Sequence, residues 1–102
     1  MAQILTVAKV GEIEPEDSIT VDVNGVSVAV FNSGGKYYAV GNTCCHRGGP
    51  LAEGTIDGTM VTCPWHGWEF DLSTGKCLNN PGACVPAFEV RIEGNSIQLV
   101  VS

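Results

Sequence analysis

Glycine-marked reversals constrain this chain more than any other feature. Asn24-Gly25, Ser33-Gly34-Gly35, Asp57-Gly58 and Gly94-Asn95 cut it into short segments. Asn-Gly accepts positive φ at both central positions and gives a two-residue hairpin the twist its strands need. Between the reversals, apolar residues alternate with polar ones, the period of a pleated strand. ILTVAKV (4–10) reads as one strand, and SITVDVNGVSVAVFNSGGKYYAV (18–40) as strands folded back at Asn24-Gly25 and again at Ser33 to Gly35. GTIDGTMVTC (54–63) reads as a hairpin turning at Asp57-Gly58. WEFDLSTGKC (68–77) alternates Trp68, Phe70 and Leu72 before a Ser-Thr-Gly turn, and FEVRIEGNSIQLVV (88–101) is a closing hairpin. The helical signal is confined to a turn near Glu12 to Asp17, interrupted by Pro15. The expected class is all-β, a small sandwich or barrel.

With 102 residues, the chain is expected to form one domain, residues 1–102. Its 44% hydrophobic and 16% charged residues exclude a disordered chain. A net charge of −6 disfavours nucleic acid and anionic membranes as partners. No apolar run approaches the ~20 residues of a transmembrane helix. MAQILTVAKVGEIEPED lacks the basic and apolar regions of a signal peptide, so the expected location is the cytoplasm. Five cysteines cannot all pair within one chain. In that compartment they point to metal or redox chemistry rather than disulfides.

Two stretches break the strand pattern. NTCCHRGGPL (42–51) and CPWHGW (63–68) are rich in Gly and Pro, and between them they carry both histidines of the chain. The constellation is Cys44-x-His46, sixteen intervening residues, then Cys63-x-x-His66. Two thiolates and two imidazoles make a complete four-ligand set. Cys₂His₂ suits a structural zinc. However, zinc fingers usually pair Cys with Cys and His with His, whereas each loop here offers one of each. The mixed order suits a two-iron cluster with thiolates on one iron and imidazoles on the other.

The motifs CxHRGGPL and CPWHGWEFDLSTG resemble the Rieske [2Fe–2S] signature, closely over about residues 40 to 77 and in β pattern over nearly the whole chain. The resemblance implies one [2Fe–2S] cluster, with Cys44 and Cys63 on the buried iron and His46 and His66 on the outer iron. It also implies three small antiparallel sheets, with a two-loop cluster-binding subdomain over about residues 42–82. A third, proline-containing loop, NNPGACVP (79–86), occupies the place of the segment that covers the cluster. Glycines 48, 49 and 67 are expected to let the backbone approach the cluster.

Departures from the family's subtypes refine the reading. Quinol-oxidising members carry an extra Cys in each loop and join them by a disulfide; Gly49 and Trp65 stand at those positions here. Those members also place Ser and Tyr hydroxyls beside the cluster, where this chain has Trp68 and Phe70. Without these features the expected potential lies in the lower part of a range of about −150 to +300 mV. Ring-hydroxylating oxygenases share the domain but need a second iron site, for which these residues hold no spare histidine. The expectation is therefore not an enzyme but a soluble ferredoxin. It would be a monomer carrying one electron from a flavin-dependent reductase to a terminal oxygenase or reductase. The alternative is the small Rieske subunit of a reductase such as nitrite reductase.

Pro64, Trp65, Trp68 and Leu51 are expected to shield the cluster from water, and Tyr37, Tyr38 and Phe88 to pack in or near the core. Cys77 and Cys84 are expected to be reduced packing residues. Glu12, Glu14, Glu16 and Asp17 are expected to form a solvated face, while Arg47 is left without an assigned role. Cys45 lies between two candidate ligands and is read as a small side chain pointing away from the metal. Cys45→Ser should accordingly leave the visible spectrum of the purified protein intact; loss of colour would make Cys45 part of the site.

Overall fold

A computed structural model of the chain describes residues 3–43, 50–65, 67–79 and 85–101. Among these are nine strands and one short 3₁₀ turn. The strands are β1 (Gln3–Lys9), β2 (Asp17–Val23), β3 (Val26–Ser33), β4 (Lys36–Gly41), β5 (Thr55–Asp57), β6 (Met60–Thr62), β7 (Glu69–Asp71), β8 (Ala87–Glu93) and β9 (Ser96–Val101). All pairings are antiparallel.

The turn residues close the hairpins where the sequence places them. Asn24 and Gly25 take φ of 53° and 84°, and Asp22 Oδ1 accepts the Gly25 N–H at 3.0 Å. β2 and β3 then pair without a slip from Val23↔Val26 to Asp17↔Asn32. Gly34 and Gly35 return the chain into β4, with Ser33 opposite Lys36. The β5–β6 reversal is centred one residue later than Asp57-Gly58: Asp57 pairs with Met60, so Gly58 and Thr59 form the turn. β1 has a bulge between Thr6 and Ala8.

Strand β8 belongs to two sheets. It meets β4 only at Ala39↔Phe88 and Val40↔Ala87, then continues along β9 from Glu89↔Val100 to Glu93↔Ser96. This short junction links a β1-β9-β8 layer to a β4-β3-β2 layer in the order β1-β9-β8-β4-β3-β2. A separate three-stranded sheet, β5-β6-β7, completes three small antiparallel sheets.

The middle layer is apolar on both faces. Val28, Ala29, Val30 and Phe31 are all fully buried. Because strand side chains alternate, Val28 and Val30 join Ala8, Ile13, Ile97 and Leu99 in one core. Ala29 and Phe31 enter a second core with Val61, Phe70 and Leu72 of the small sheet. β4 divides in the same way, Ala39 to the first core and Val40 to the second. Tyr38 packs against the second core, and Tyr37 and Phe88 against the first, as expected.

The 3₁₀ turn Leu51–Glu53 has no clear forerunner in the sequence. It is clamped from Asn42, whose backbone O accepts the Leu51 N–H at 2.7 Å and whose Oδ1 accepts the Ala52 N–H at 2.9 Å. Ser18 Oγ donates to the Ala52 carbonyl. In the other direction, Ser33 Oγ donates to the carbonyl of Gly58 at the tip of the β5–β6 hairpin. Asn32, the buried polar residue, ties the 12–17 turn to the β3–β4 turn: its Nδ2 donates to Ile13 O at 2.8 Å and its Oδ1 accepts the Gly35 N–H at 2.9 Å. Glu12, Glu14, Glu16 and Asp17 are exposed.

Gly75 permits the closest backbone approach near the small sheet. It takes φ of +80°, accepts the Val85 N–H at 2.8 Å, and an added Cβ would lie 2.0 Å from Val85 O. Gly58 has a similar φ of +61° but open space around it. Gly58→Ala should cost about 1 kcal/mol, the left-handed penalty alone. Gly75→Ala should cost more than about 3 kcal/mol, because the chain must also retreat from Val85. Thermal midpoints of the two variants, compared with the parent, check this order; equal losses would contradict the close approach.

Candidate metal centre

Of the four proposed ligands, the structure places Cys63; Cys44, His46 and His66 lie outside the described residues. So do Cys45, Arg47, Cys84 and most of the 79–86 loop. Cys63 directly follows β6 and is 1% exposed. Its N–H donates to Trp68 O at 2.7 Å, one step beyond the last β6–β7 rung, Thr62↔Glu69. This bond closes a neck on residues 64–67, the segment that contains His66. Gly67 takes φ of +73° within it, a turn requirement. With no Cβ partner within 4 Å, the described structure gives Gly67 no close approach.

The other ligand segment has a similar neck. Thr43 and Pro50 form an isolated antiparallel bridge, closing off residues 44–49. Leu51, directly beyond it, is fully buried in the same core as Cys63. The third loop is also held at both ends. Asn79 Oδ1 accepts the Glu69 N–H at 2.7 Å, and Val85, bonded to Gly75, is buried in that core. Three segments thus leave from one apolar cluster that holds Leu51, Cys63 and Val85. Among the described residues, no group of three or more His, Cys, Asp or Glu side chains could hold a metal ion.

The residues around Cys63 divide in exposure. Leu51 is buried and Trp68 packs against the core, as the shielding reading requires. Pro64 is exposed and Trp65 is 50% exposed, so part of the expected shield faces solvent. Cys77 is buried and free, opposite Phe70 in an isolated bridge, in keeping with a reduced packing residue. The donor chemistry fits the proposed group: a buried cysteine sulfur on a backbone fixed by hydrogen bonds is a suitable soft ligand for iron or zinc.

Sequence reasoning missed two supports of this arrangement. One is the Asn42 clamp on Leu51 and Ala52. The other is the Asn79 side chain, whose only signal is that asparagine readily hydrogen-bonds neighbouring backbone where a chain leaves regular structure.

Comparison with known proteins fits this architecture. The Rieske [2Fe-2S] domain model matches residues 3–89, and the chain belongs to that family. It is 33% identical over 89 residues to the ferredoxin component of the naphthalene 1,2-dioxygenase/salicylate 5-hydroxylase systems of Ralstonia sp, covering 86% of each chain. It is also 33% identical over 98 residues to apoptosis-inducing factor 3 of Mus musculus, covering 95% of this chain but only 16% of that protein. Among solved structures, one chain of a complex of reduced oxygenase and oxidized ferredoxin in carbazole 1,9a-dioxygenase superposes with a TM-score of 0.85 at 31% identity, over 94% of this chain and 91% of that one. A chain assigned as the small subunit of an NADH-dependent nitrite reductase from Mycobacterium tuberculosis gives a TM-score of 0.94 at 25% identity, over 100% and 97%.

One carboxylate near the site has a resolved shift. The Ser73 hydroxyl, then the Ser73 N–H, hold the Asp71 carboxyl below its ordinary 3.8, with further help from the Thr74 N–H and the Lys76 charge. A depressed carboxyl contributes stability above its unfolded value and loses it as pH falls through the folded one. Asp71→Asn should therefore flatten the acid limb of the stability curve below about pH 4. Urea melts across that range check this, and a parallel loss in parent and variant would show that Asp71 contributes nothing.

Proposed function

We propose that this chain is a soluble, low-potential Rieske ferredoxin, and that Cys44, His46, Cys63 and His66 hold one [2Fe–2S] cluster. The cluster, when bound, accepts and releases a single electron. The observation that carries the reading is Cys63: a buried cysteine at the neck of the β6–β7 hairpin, in the same core as the residue beside the Thr43–Pro50 neck. Residues about 42–82 form the cluster-binding subdomain of one domain spanning 1–102. Electrons come from a flavin-dependent reductase and go to a terminal oxygenase; relatives of matching length are named as the ferredoxin component of dioxygenase systems and as the ferredoxin in a complex with an oxygenase. The protein carries electrons rather than catalysing turnover of a substrate, and it works as a cytoplasmic monomer. No helix among the described residues is long and apolar enough to cross a membrane.

The four ligands divide the work by residue type. Cys44 and Cys63 supply negative charge to the buried side. His46 and His66 donate less charge and raise the potential above that of an all-cysteine site. Trp68 and Phe70 have no hydroxyl to offer the cluster or its ligands, which keeps the potential in the lower part of the family's range. A reductase small subunit is the second reading, favoured by the TM-score of 0.94 to the nitrite reductase chain.

A redox titration followed by visible absorption and EPR tests the proposal. The expected result is a Rieske-type signal and a potential in the lower part of a range of about −150 to +300 mV, flat with pH near neutrality. His66→Cys should lower the potential or lose the cluster; an unchanged spectrum and potential would remove His66 from the ligand set. A potential near the top of the range would point to a quinol-type donor. Zinc without redox-active iron would remove electron transfer.

A further inference from the structure

The peptide group joining Trp68 to Glu69 is held at both ends. Its carbonyl, Trp68 O, accepts the N–H of Cys63 at 2.7 Å. Its N–H, on Glu69, donates to Asn79 Oδ1 at 2.7 Å. The two bonds leave on opposite sides of the strand, as they must for one trans peptide. An amide that donates well at nitrogen accepts better at oxygen, so the bonds reinforce each other. Asn79 is thereby linked to the backbone of Cys63 through a single intervening peptide.

The position of Asn79 explains why a side chain does this. Cys77 bridges Phe70, and the Leu78 N–H donates to Glu69 O at 2.8 Å, so the 77–79 segment continues the sheet beyond β7. At Asn79 the segment's own side-chain carbonyl accepts the Glu69 N–H, one step beyond the Leu78 rung. Asn79 is exposed, so packing does not require asparagine there. Substitution at such a surface position ordinarily changes little.

We propose that Asn79 is a positioning residue for the redox centre, fixing the Cys63 backbone through the Trp68–Glu69 peptide. For its effect on the cluster this inference rests on Cys63 being a ligand. The hydrogen-bond relay itself does not.

The test uses the full chain, loaded with iron, carrying Asn79→Leu or Asn79→Asp. Leucine keeps the approximate volume and removes the acceptor; aspartate keeps the acceptor. Site-resolved amide exchange at Glu69 and Cys63 and visible circular dichroism of the cluster are the readouts. Asn79→Leu is expected to speed exchange about tenfold at Glu69, whose N–H loses its acceptor, to speed it to a smaller but measurable extent at Cys63, and to alter the visible dichroism. Asn79→Asp is expected to retain parental exchange and a near-parental spectrum. Parental exchange and dichroism in Asn79→Leu would overturn the proposal, as would an Asn79→Asp variant as perturbed as the leucine one. If the parent itself carries no iron, the ligand assignment falls by that result, while the exchange contrast still decides whether Asn79 holds Cys63.

Discussion

Everything in this molecule leans on a strand buried on both faces. Val28 and Val30 of β3 face one core, and Ala29 and Phe31 face the other. A sheet with one wet face could anchor only one neighbouring layer. The β3–β4 pair anchors two, the β1-β9-β8 layer below and the small β5-β6-β7 sheet above. The small sheet, with strands of three residues each, has too little apolar surface to stand alone. Its Val61 and Phe70 are buried because Phe31 and Val40 meet them from the middle layer. Cys63 inherits its low exposure from the same contact, since it follows Val61 by two residues on the same face.

Polar bonds then fix how the small sheet sits on that wall. The Asn42 clamp and the Ser18 hydroxyl hold Leu51–Glu53 on one side, and the Ser33 hydroxyl holds the Gly58 turn on the other. Apolar packing is roughly non-directional, so it keeps the layers together without setting their alignment. Hydrogen bonds of defined geometry supply that alignment. A ligand set drawn from two loops needs both parents of those loops in one fixed frame, because tolerances at a metal site are about 0.5 Å.

The parts of this arrangement that could be read from the sequence are those encoded within a few residues. Asn24-Gly25 and Gly34-Gly35 dictate their turns by backbone sterics alone, and the strands on either side follow by alternation. The Cys/His spacing at 44–46 and 63–66 is likewise local, and marks the site without any knowledge of the fold. The layer order was less legible. The run VSVAVF looks like alternation with one odd residue, and only the tertiary structure shows that both of its faces are covered. The Asp57-Gly58 reversal shifts by one residue because the register is set by Ile56↔Val61, which keeps both side chains on the core face. The 3₁₀ turn after Pro50 had no periodic signal, since its stability comes from Asn42 and Ser18, eight or more positions away.

The necks are where local and distant information meet. Each encloses a stretch whose Gly- and Pro-rich composition is legible in the sequence, and is completed by a bond that this composition does not specify. Thr43 and Pro50 close one neck, and Leu51 beside it is fixed by packing against Val61 and Phe70. Cys63 and Trp68 close the other, and the far side of that peptide is bonded to Asn79, a residue beyond the Ser-Thr-Gly turn. The third segment returns at Val85, held by Gly75, whose missing side chain is what lets the two backbones meet. The Glu69–Asn79 and Gly75–Val85 bonds join more distant positions, and the packed sheets bring these together. The Cys/His spacing is therefore a property of the sequence, whereas the backbone that holds Cys63 is a property of the fold.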